Sequence, residues 1–387
     1  MARLVIVSRR YWPLAGGQET LVGALAKGLQ RRGHEVTVLT AQWSAQWPTT
    51  IDDEQVKVVR LSQRSSPMWG TWSFTTRLTR WIRGHREQID GMLVSRIGYS
   101  ADAAIRGLGR GTRVPVVVSA LTESADNDLK WLRQTPFWPR IQAKIQRSAA
   151  TVANSNYGYQ MLLAAGFKAE QIHMVRLGVE PHRAVSPSRR AEARRDLRAA
   201  NKDLALPVGG KLAVAIRPFH VESGLADLIR AWKRMIENHP DARLWIVGDG
   251  GQRSKLAELR RDLELDWHVV LPGVFEQIDE VLAAADVYIA DDGSHAGRLL
   301  EAMASGLPVV AADTLLHREI LGNQGIGSIL YGNVHDELAS AVGEIFSQSL
   351  RWQDSGAFNR NIVQQTHSLD GMLDGYENLL GLSRCES

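Results

Sequence analysis

The stretch LEAMASGLPVVAAD, residues 300–313, decides how this chain is read. The apolar run DVYIA, 286–290, comes before it, and a short loop lies between them. Strand, loop and helix, then a second apolar strand after Gly306-Leu307-Pro308, make one β-α-β step of a parallel sheet. The loop opens onto a helix N-terminus, where free backbone N–H groups and the helix dipole favour an anion. One turn into that helix a lone carboxylate, Glu301, sits among Leu299, Leu300, Ala302 and Met303. A charge in such surroundings needs a partner, and a ligand hydroxyl would serve.

The same step recurs on both sides. The first half reads as strands at 3–8, 35–40, 56–61, 91–94, 115–119, 149–153 and 172–176. The second half restarts with strands at 211–216, 243–247, 268–271, 286–290, 308–312 and 326–331. Most are short and continuous in Val, Ile and Leu, as strands covered on both faces are. A helix from Gln18 to Arg32 buries a stripe of Leu21, Leu25 and Leu29, and Gly33 stops it. The expected fold is α/β: two doubly wound, Rossmann-like domains facing a cleft, with ligands beyond the carboxyl ends of the strands. Residues 1–180 form the first domain and 211–360 the second. Residues 181–210, rich in Pro, Ser, Ala and Arg, read as a linker with a solvated basic helix. The last stretch, 361–387, has a helical period.

The 387 residues suffice for two domains; 44% are hydrophobic and 23% charged, as in a soluble globular protein. A formal net charge of +4 is too small to imply nucleic acid. The single cysteine, Cys385, excludes an intrachain disulfide. The opening MARLVIVSRRYWP is a first strand rather than a signal peptide, and no run is long and apolar enough to span a bilayer. A cytoplasmic protein is expected.

Residues 300–313 closely resemble the donor-site helix of retaining, group-1 (family four) nucleotide-sugar glycosyltransferases of the GT-B fold. The resemblance covers nearly the whole chain and is most specific over 244–313. It implies transfer of a sugar from a nucleotide-sugar to a glycan or lipid-linked acceptor, with retention, no metal and no cofactor. It also implies that the first domain is the acceptor side and that the C-terminal helix crosses back to it.

Several residues take donor-site roles by this resemblance. Glu301 would hold the ribose, and Arg217 would clamp the diphosphate; these two are the catalytic candidates. Val274 and Phe275 would offer backbone to the base. Ser294, His295, Ala296, Gly297 and Arg298 would surround the phosphate. Gly16 and Gly17 match a Gly-Gly loop facing the donor, and also fit an ordinary tight βα turn. Arg298 has a second reading as a solvent-facing residue. VGDGG, 247–251, lacks the spacing of a dinucleotide fingerprint and reads as a structural turn.

The chain also departs from the family pattern. Ser223 replaces a lysine of the diphosphate clamp, and Gly293 falls where a first glutamate contacts the sugar, although Asp291 or Asp292 can swing in. Leu315-Leu316 replace a Gly-Gly pair, and Leu121 stands near a usual histidine. Glu123, Ser124 and Asp126 are neighbouring candidates for the acceptor side. These losses open a rival reading, a catalytically inactive relative that binds or scaffolds. An epimerase or hydrolase of the same shape ranks last, since no His/Glu pair is placed for acid–base work.

One further stretch, TWSFTTRLTRWIRGHRE (71–87), carries Phe74, Leu78, Trp81 and Ile82 at helical spacing, with Arg77, Arg80, Arg83 and Arg86. With Trp69 and Trp72 it reads either as a peripheral membrane contact over 69–87 or as a helix burying its stripe on the first sheet.

Overall fold

The computed structural model describes residues 1–14, 16–64, 66–119, 137–181, 184–220, 224–275, 277–290, 296–322, 328–331 and 335–382. The chain divides into two compact units. Unit 1 is Met1–Gly178 with Leu369–Ser387, and unit 2 is Val179–Ser368.

In unit 1 the described elements run β1 (Arg3–Val7), α1 (Gly17–Arg31), β2 (Glu35–Gln42), β3 (Thr50–Asp53), β4 (Val56–Ser62), α2 (Pro67–His85), β5 (Gly91–Val94), α3 (Tyr99–Leu108), β6 (Val116–Ser119), α4 (Trp138–Ser148), β7 (Ala150–Ala153), α5 (Asn156–Ala164) and β8 (Ile172–Met174). Unit 2 continues with α6 (Pro187–Ala200), β9 (Leu212–Ile216), α7 (Leu225–Asn238), β10 (Arg243–Val247), α8 (Arg253–Asp262), β11 (Val269–Gly273), α9 (Asp279–Ala284), β12 (Val287–Ala290), α10 (Ala296–Ala304), β13 (Val309–Ala312), α11 (Leu315–Leu321), β14 (Ser328–Tyr331), α12 (His335–Ser347) and α13 (Ser349–Thr366). The last helix, α14 (Leu369–Leu379), belongs to unit 1.

Both sheets are doubly wound. Unit 1 has the strand order β3-β4-β2-β1-β5-β6-β7-β8, and unit 2 has β11-β10-β9-β12-β13-β14. Every pairing is parallel except β3 with β4. The order reverses between β1 and β5 in unit 1, and between β9 and β12 in unit 2. Strands β9, β10, β12 and β13 are buried along their whole length, which is why they read as unbroken apolar runs.

Strand β3 is the one described strand that the apolar pattern missed. It pairs with β4 through a two-residue turn in which Glu54 and Gln55 both have positive φ, 49° and 69°. Such hairpin turns usually carry glycine or asparagine. Here the backbone N–H of Gln55 donates to Asp52 Oδ1 at 2.7 Å, and no glycine marks the turn.

Helix α6 corrects the reading of 181–210 as a solvated linker. Ala193 and Leu197 are buried, Arg194 bonds Asp286 at 2.7 Å, Arg190 lies 3.4 Å from Asp286, and Arg189 pairs with Glu280. The basic run is therefore one face of a helix packed on α9 and the start of β12. In helix α2 the apolar stripe of 69–87 is packed on the first sheet. Phe74, Leu78 and Ile82 are fully buried in the first core, where each contributes about 1.5–3 kcal/mol. An apolar face buried in protein is not offered to a bilayer. Trp69, Trp72 and the four arginines stay exposed.

The C-terminal segment divides later than position 361. Helix α13 packs on α10 in unit 2, with Asn359 Nδ2 donating to the Leu307 carbonyl at 2.9 Å. Helix α14 packs on α1. Arg32 bonds Glu377, Asp374 and Asp370, His34 bonds Glu377, and Tyr376 donates to Ser119 at 2.8 Å. Burial raises the Tyr376 phenol above its usual range.

Candidate active site

In unit 2 the first residue after β9 is Arg217, and helix α10 lies just beyond β12. They stand on either side of the place where strand order reverses, the crevice at which doubly wound sheets hold ligands. Arg217 is only 3% exposed. The VGDGG turn holds its backbone in place. The N–H groups of Arg217, Phe219 and Gln252 donate to Val247, Asp249 and Phe219, each within 3.1 Å. Gly248 has to be glycine, since a Cβ there would lie 1.9 Å from the Arg217 carbonyl oxygen. The turn is thus structural, and its work is to seat Arg217.

Every residue of helix α10 but Arg298, which is half-buried, is buried. Glu301, 9% exposed, takes its partner from the protein: Arg298 Nη1 donates to its Oε2 at 2.7 Å. Their side chains are 13% and 11% exposed, so Arg298 is not a solvent-facing residue. The pair also explains how a cation is tolerated in the first turn against the helix dipole. Past the helix, Gly306 turns the chain with φ +80°, and Gly356 of α13 approaches so closely that a Cβ on it would lie 2.0 Å from the Gly306 carbonyl oxygen.

Val274 and Phe275 follow β11, two strands from β9 and hence about 10 Å across the same carboxyl edge. Val274 is 54% exposed. Ala296 and Gly297 begin α10 and are buried. One edge of unit 2 therefore brings together Arg217, Val274, Phe275, Ala296, Gly297, Arg298 and Glu301. Ser223, Asp291, Asp292, Gly293, Ser294 and His295 lie outside the described residues. Leu315-Leu316 start a helix capped by Thr314, whose hydroxyl accepts from the His317 N–H, so this place holds an ordinary N-cap.

In unit 1, Gly16 and Gly17 form the entrance of α1, with Gly16 extended at φ 172°. The space a Cβ would take at Gly16 is filled from within, since that Cβ would lie 2.2 Å from Glu19 Oε2. Glu19 is buried, bonds Arg10 and places its own negative charge at the helix N-terminus. The two glycines therefore form a turn closed by a protein carboxylate. Leu121, Glu123, Ser124 and Asp126 lie outside the described residues.

The sequence reading missed a second cluster at the carboxyl edge of unit 1. Arg9 follows β1, Trp43 follows β2, Gln63 and Arg64 follow β4, and Arg96 follows β5; all line one cavity of about 1670 Å³. Its only signal in the sequence is position: Arg9 and Arg96 each stand two residues past the end of a strand. Which strands are neighbours is not written locally. Among the described residues, no group of three or more His, Cys, Asp or Glu is placed to hold a metal ion, and no helix is long and apolar enough to cross a membrane.

Two family models match the chain: Glycosyltransferase Family 4 over residues 15–183, and Glycosyl transferases group 1 over 210–348. The chain belongs to the group-1 glycosyltransferases, and its two units have the GT-B fold. It is 28% identical over 166 residues to a GDP-mannose-dependent monoacylated alpha-(1-6)-phosphatidylinositol monomannoside mannosyltransferase of Corynebacterium glutamicum. That match spans 41% of this chain and 43% of the relative. It is 22% identical over 362 residues to the alpha-monoglucosyldiacylglycerol synthase of Streptococcus pneumoniae, spanning 88% of this chain and 78% of that one. In structure it resembles Anabaena Alr3699/HepE, solved in complex with UDP and glucose, with a TM-score of 0.78 and 18% identity over 98% of this chain and 100% of that one.

Proposed function

We propose that this glycosyltransferase uses a nucleotide-sugar as donor and transfers the sugar, with retention and without a metal, to a glycan or lipid-linked acceptor. The observation that carries the reading is the placement of buried Arg217 and the α10 N-terminus on either side of the unit 2 switch point. In this transfer the bond between the anomeric carbon and the diphosphate oxygen breaks. A bond to the acceptor oxygen forms, and the proton of the acceptor hydroxyl passes to the departing diphosphate. Negative charge grows on the departing diphosphate. Arg217, Arg298 and the helix N-terminus at Ala296 and Gly297 would meet that charge. Glu301 would accept hydrogen bonds from the ribose hydroxyls with the oxygen that Arg298 leaves available. Val274 and Phe275 would offer backbone to the base. The relatives from C. glutamicum and S. pneumoniae bear the names of lipid glycosylating enzymes, which supports a lipid-linked acceptor.

Calorimetric titration with UDP, GDP, ADP and their sugar conjugates tests this. Saturable binding of one nucleotide, tighter with its sugar attached, is expected. A second reading, a non-catalytic binding protein, draws on the Arg298–Glu301 pair, because a carboxylate satisfied by its own helix has less need of a ribose. Absence of binding to every nucleotide, with a normal melting transition, would establish that second reading.

A further inference from the structure

The two faces of helix α2 have opposite fates. The inward face, Phe74, Leu78 and Ile82, fills the first core. Opposite it, Trp69, Trp72, Thr76, Arg80 and Arg83 follow one another at steps of three or four residues, so they form a single stripe about 21 Å long. All five are exposed, and so are Arg77 and, just past the helix, Arg86. Among the described residues, no hydrogen bond or ion pair reaches the side chains of Arg77, Arg80, Arg83 or Arg86. Glu87 is the only acidic residue between Pro67 and Gln88. On the neighbouring helix α3, Asp102 is engaged by Arg106 and Lys144, while Arg110 and Arg113 beyond it are exposed. At the other end of the stripe, Trp69 and Trp72 meet edge to face at 6.2 Å and are 52% and 60% exposed. Arg64 lies over the Trp69 ring at 5.9 Å.

Nothing within the fold calls for this row. Like charges three residues apart repel along a helix, and two indoles beside them keep apolar area in water. Both features gain from a layer of anionic headgroups. Guanidinium groups pair with phosphate oxygens. An indole, apolar in its body and polar at Nε1, settles at headgroup depth. A stripe along one helix also suits a plane. A nucleic acid would take the same charges, but it calls for a strongly basic chain, and the net charge here is +4.

We propose that the outward face of α2 docks this protein on an anionic membrane surface, with Trp69 and Trp72 at headgroup depth and Arg77, Arg80, Arg83 and Arg86 on lipid phosphates. The contact is shallow, because the apolar stripe that an inserted helix would use is occupied by the core. It requires neither nucleotide nor acceptor, so it stands apart from the donor-site reading.

The test is co-sedimentation of the full chain, without nucleotide, with vesicles of phosphatidylcholine alone or of an equal mixture with phosphatidylglycerol. Binding to the mixed vesicles that weakens as salt is raised is expected, with at least about tenfold weaker binding to phosphatidylcholine alone. Arg80→Gln together with Arg83→Gln should weaken binding to the mixed vesicles about 25-fold, roughly fivefold for each arginine near an anionic surface. Trp69→Ala together with Trp72→Ala keeps every charge and should weaken it several-fold. Arg195→Gln together with Arg198→Gln removes the same charge from exposed positions of α6 and should leave it unchanged. Exposed arginines carry no part of the core, so both arginine variants should melt as the parent does.

No binding to the mixed vesicles at low salt would overturn the proposal. So would equal binding to phosphatidylcholine alone, equal losses in the α2 and α6 arginine variants, or release of the bound protein by a short single-stranded oligonucleotide. Nucleotide titration reports separately on unit 2, so vesicle binding without nucleotide binding breaks the donor reading and leaves this one standing.

Discussion

The two units share one architecture and treat charge in opposite ways. Each places an arginine within two residues of the strand end on one side of its switch point, Arg9 after β1 and Arg217 after β9. In unit 2 the neighbouring cation, Arg298, sits 2.7 Å from Glu301 and is compensated within one helical turn. In unit 1 Arg9 donates to the neutral Thr71 and Gln63 and lies over the Trp43 ring. A carboxylate compensates the charge of a guanidinium, whereas a hydroxyl, an amide oxygen and an aromatic face only solvate it. The same fold thus presents two sites of different character, and the difference lies in a few loop residues.

Breaking unit 2 at Arg217 should have the largest effect. Arg217→Ala is expected to slow sugar transfer by about 10²–10³-fold, the usual cost of removing one group aimed at developing charge. Transfer rates measured with whichever nucleotide-sugar saturates the protein check this, and an unchanged rate would remove Arg217 from the site. The seat of that arginine should matter nearly as much. Gly248→Ala puts a Cβ 1.9 Å from backbone oxygen and is expected to cost about 3 kcal/mol of stability, with weaker nucleotide binding, in parallel melting and titration experiments.

The Arg298–Glu301 pair can be tested by a double-mutant cycle. Glu301→Ala leaves Arg298 buried without its carboxylate and should cost about 3 kcal/mol in chemical denaturation. Removing both should cost clearly less than the sum of the single losses, and additivity would mean the two do not interact.

Packing in unit 1 sharpens the comparison from the other side. Gly107 of α3 would carry a Cβ only 2.7 Å from Ile82 Cβ of α2. Gly107→Ala should lose about 1–2 kcal/mol to overpacking, net of the gain in helix propensity, and leave nucleotide binding at unit 2 intact. The smallest effect expected concerns pH. Hydrogen bonds from Arg3, first from its side chain and then from its backbone, hold the Asp90 carboxyl below the usual carboxylate range. A carboxyl lowered on folding adds stability that is fully present above its unfolded pKa of about 3.9 and is lost as pH falls through the folded value. Asp90→Asn should therefore flatten the acid limb of the melting temperature; an identical limb would show that Arg3 does not couple to folding.

Much of this was legible before any coordinates. The unbroken Val/Ile/Leu runs gave nearly all described strands, because a strand covered on both faces has no polar side to hide it. The stripe of α1 and its Gly33 stop were legible for the same local reason. Strand β3 was not, since Glu54 and Gln55 adopt positive φ without a glycine to announce it. The sequence named the residues now proposed for the donor site, Arg217 and Glu301 among them, and the sheet places these two at one edge of unit 2. The partner of Glu301 was not recognised, although Arg298 stands three residues away, because only the burial of both side chains distinguishes a pair from two surface charges. The reading of Gly16 overlooked Glu19 likewise, since the folding back of one side chain over a helix entrance has no pattern in sequence.

By itself, then, the sequence determined the alternation of strand and helix, the two-fold recurrence of that alternation, and the residues that end each strand. These follow from local rules of burial, period and turn chemistry. The tertiary structure alone decided which strand ends become neighbours. Strand order makes neighbours of β1 and β5, which lead into Arg9 and Arg96, and of β9 and β12, which lead into Arg217 and α10. Both sites are assembled from loops far apart along the chain, and only the order of the sheet makes those loops neighbours.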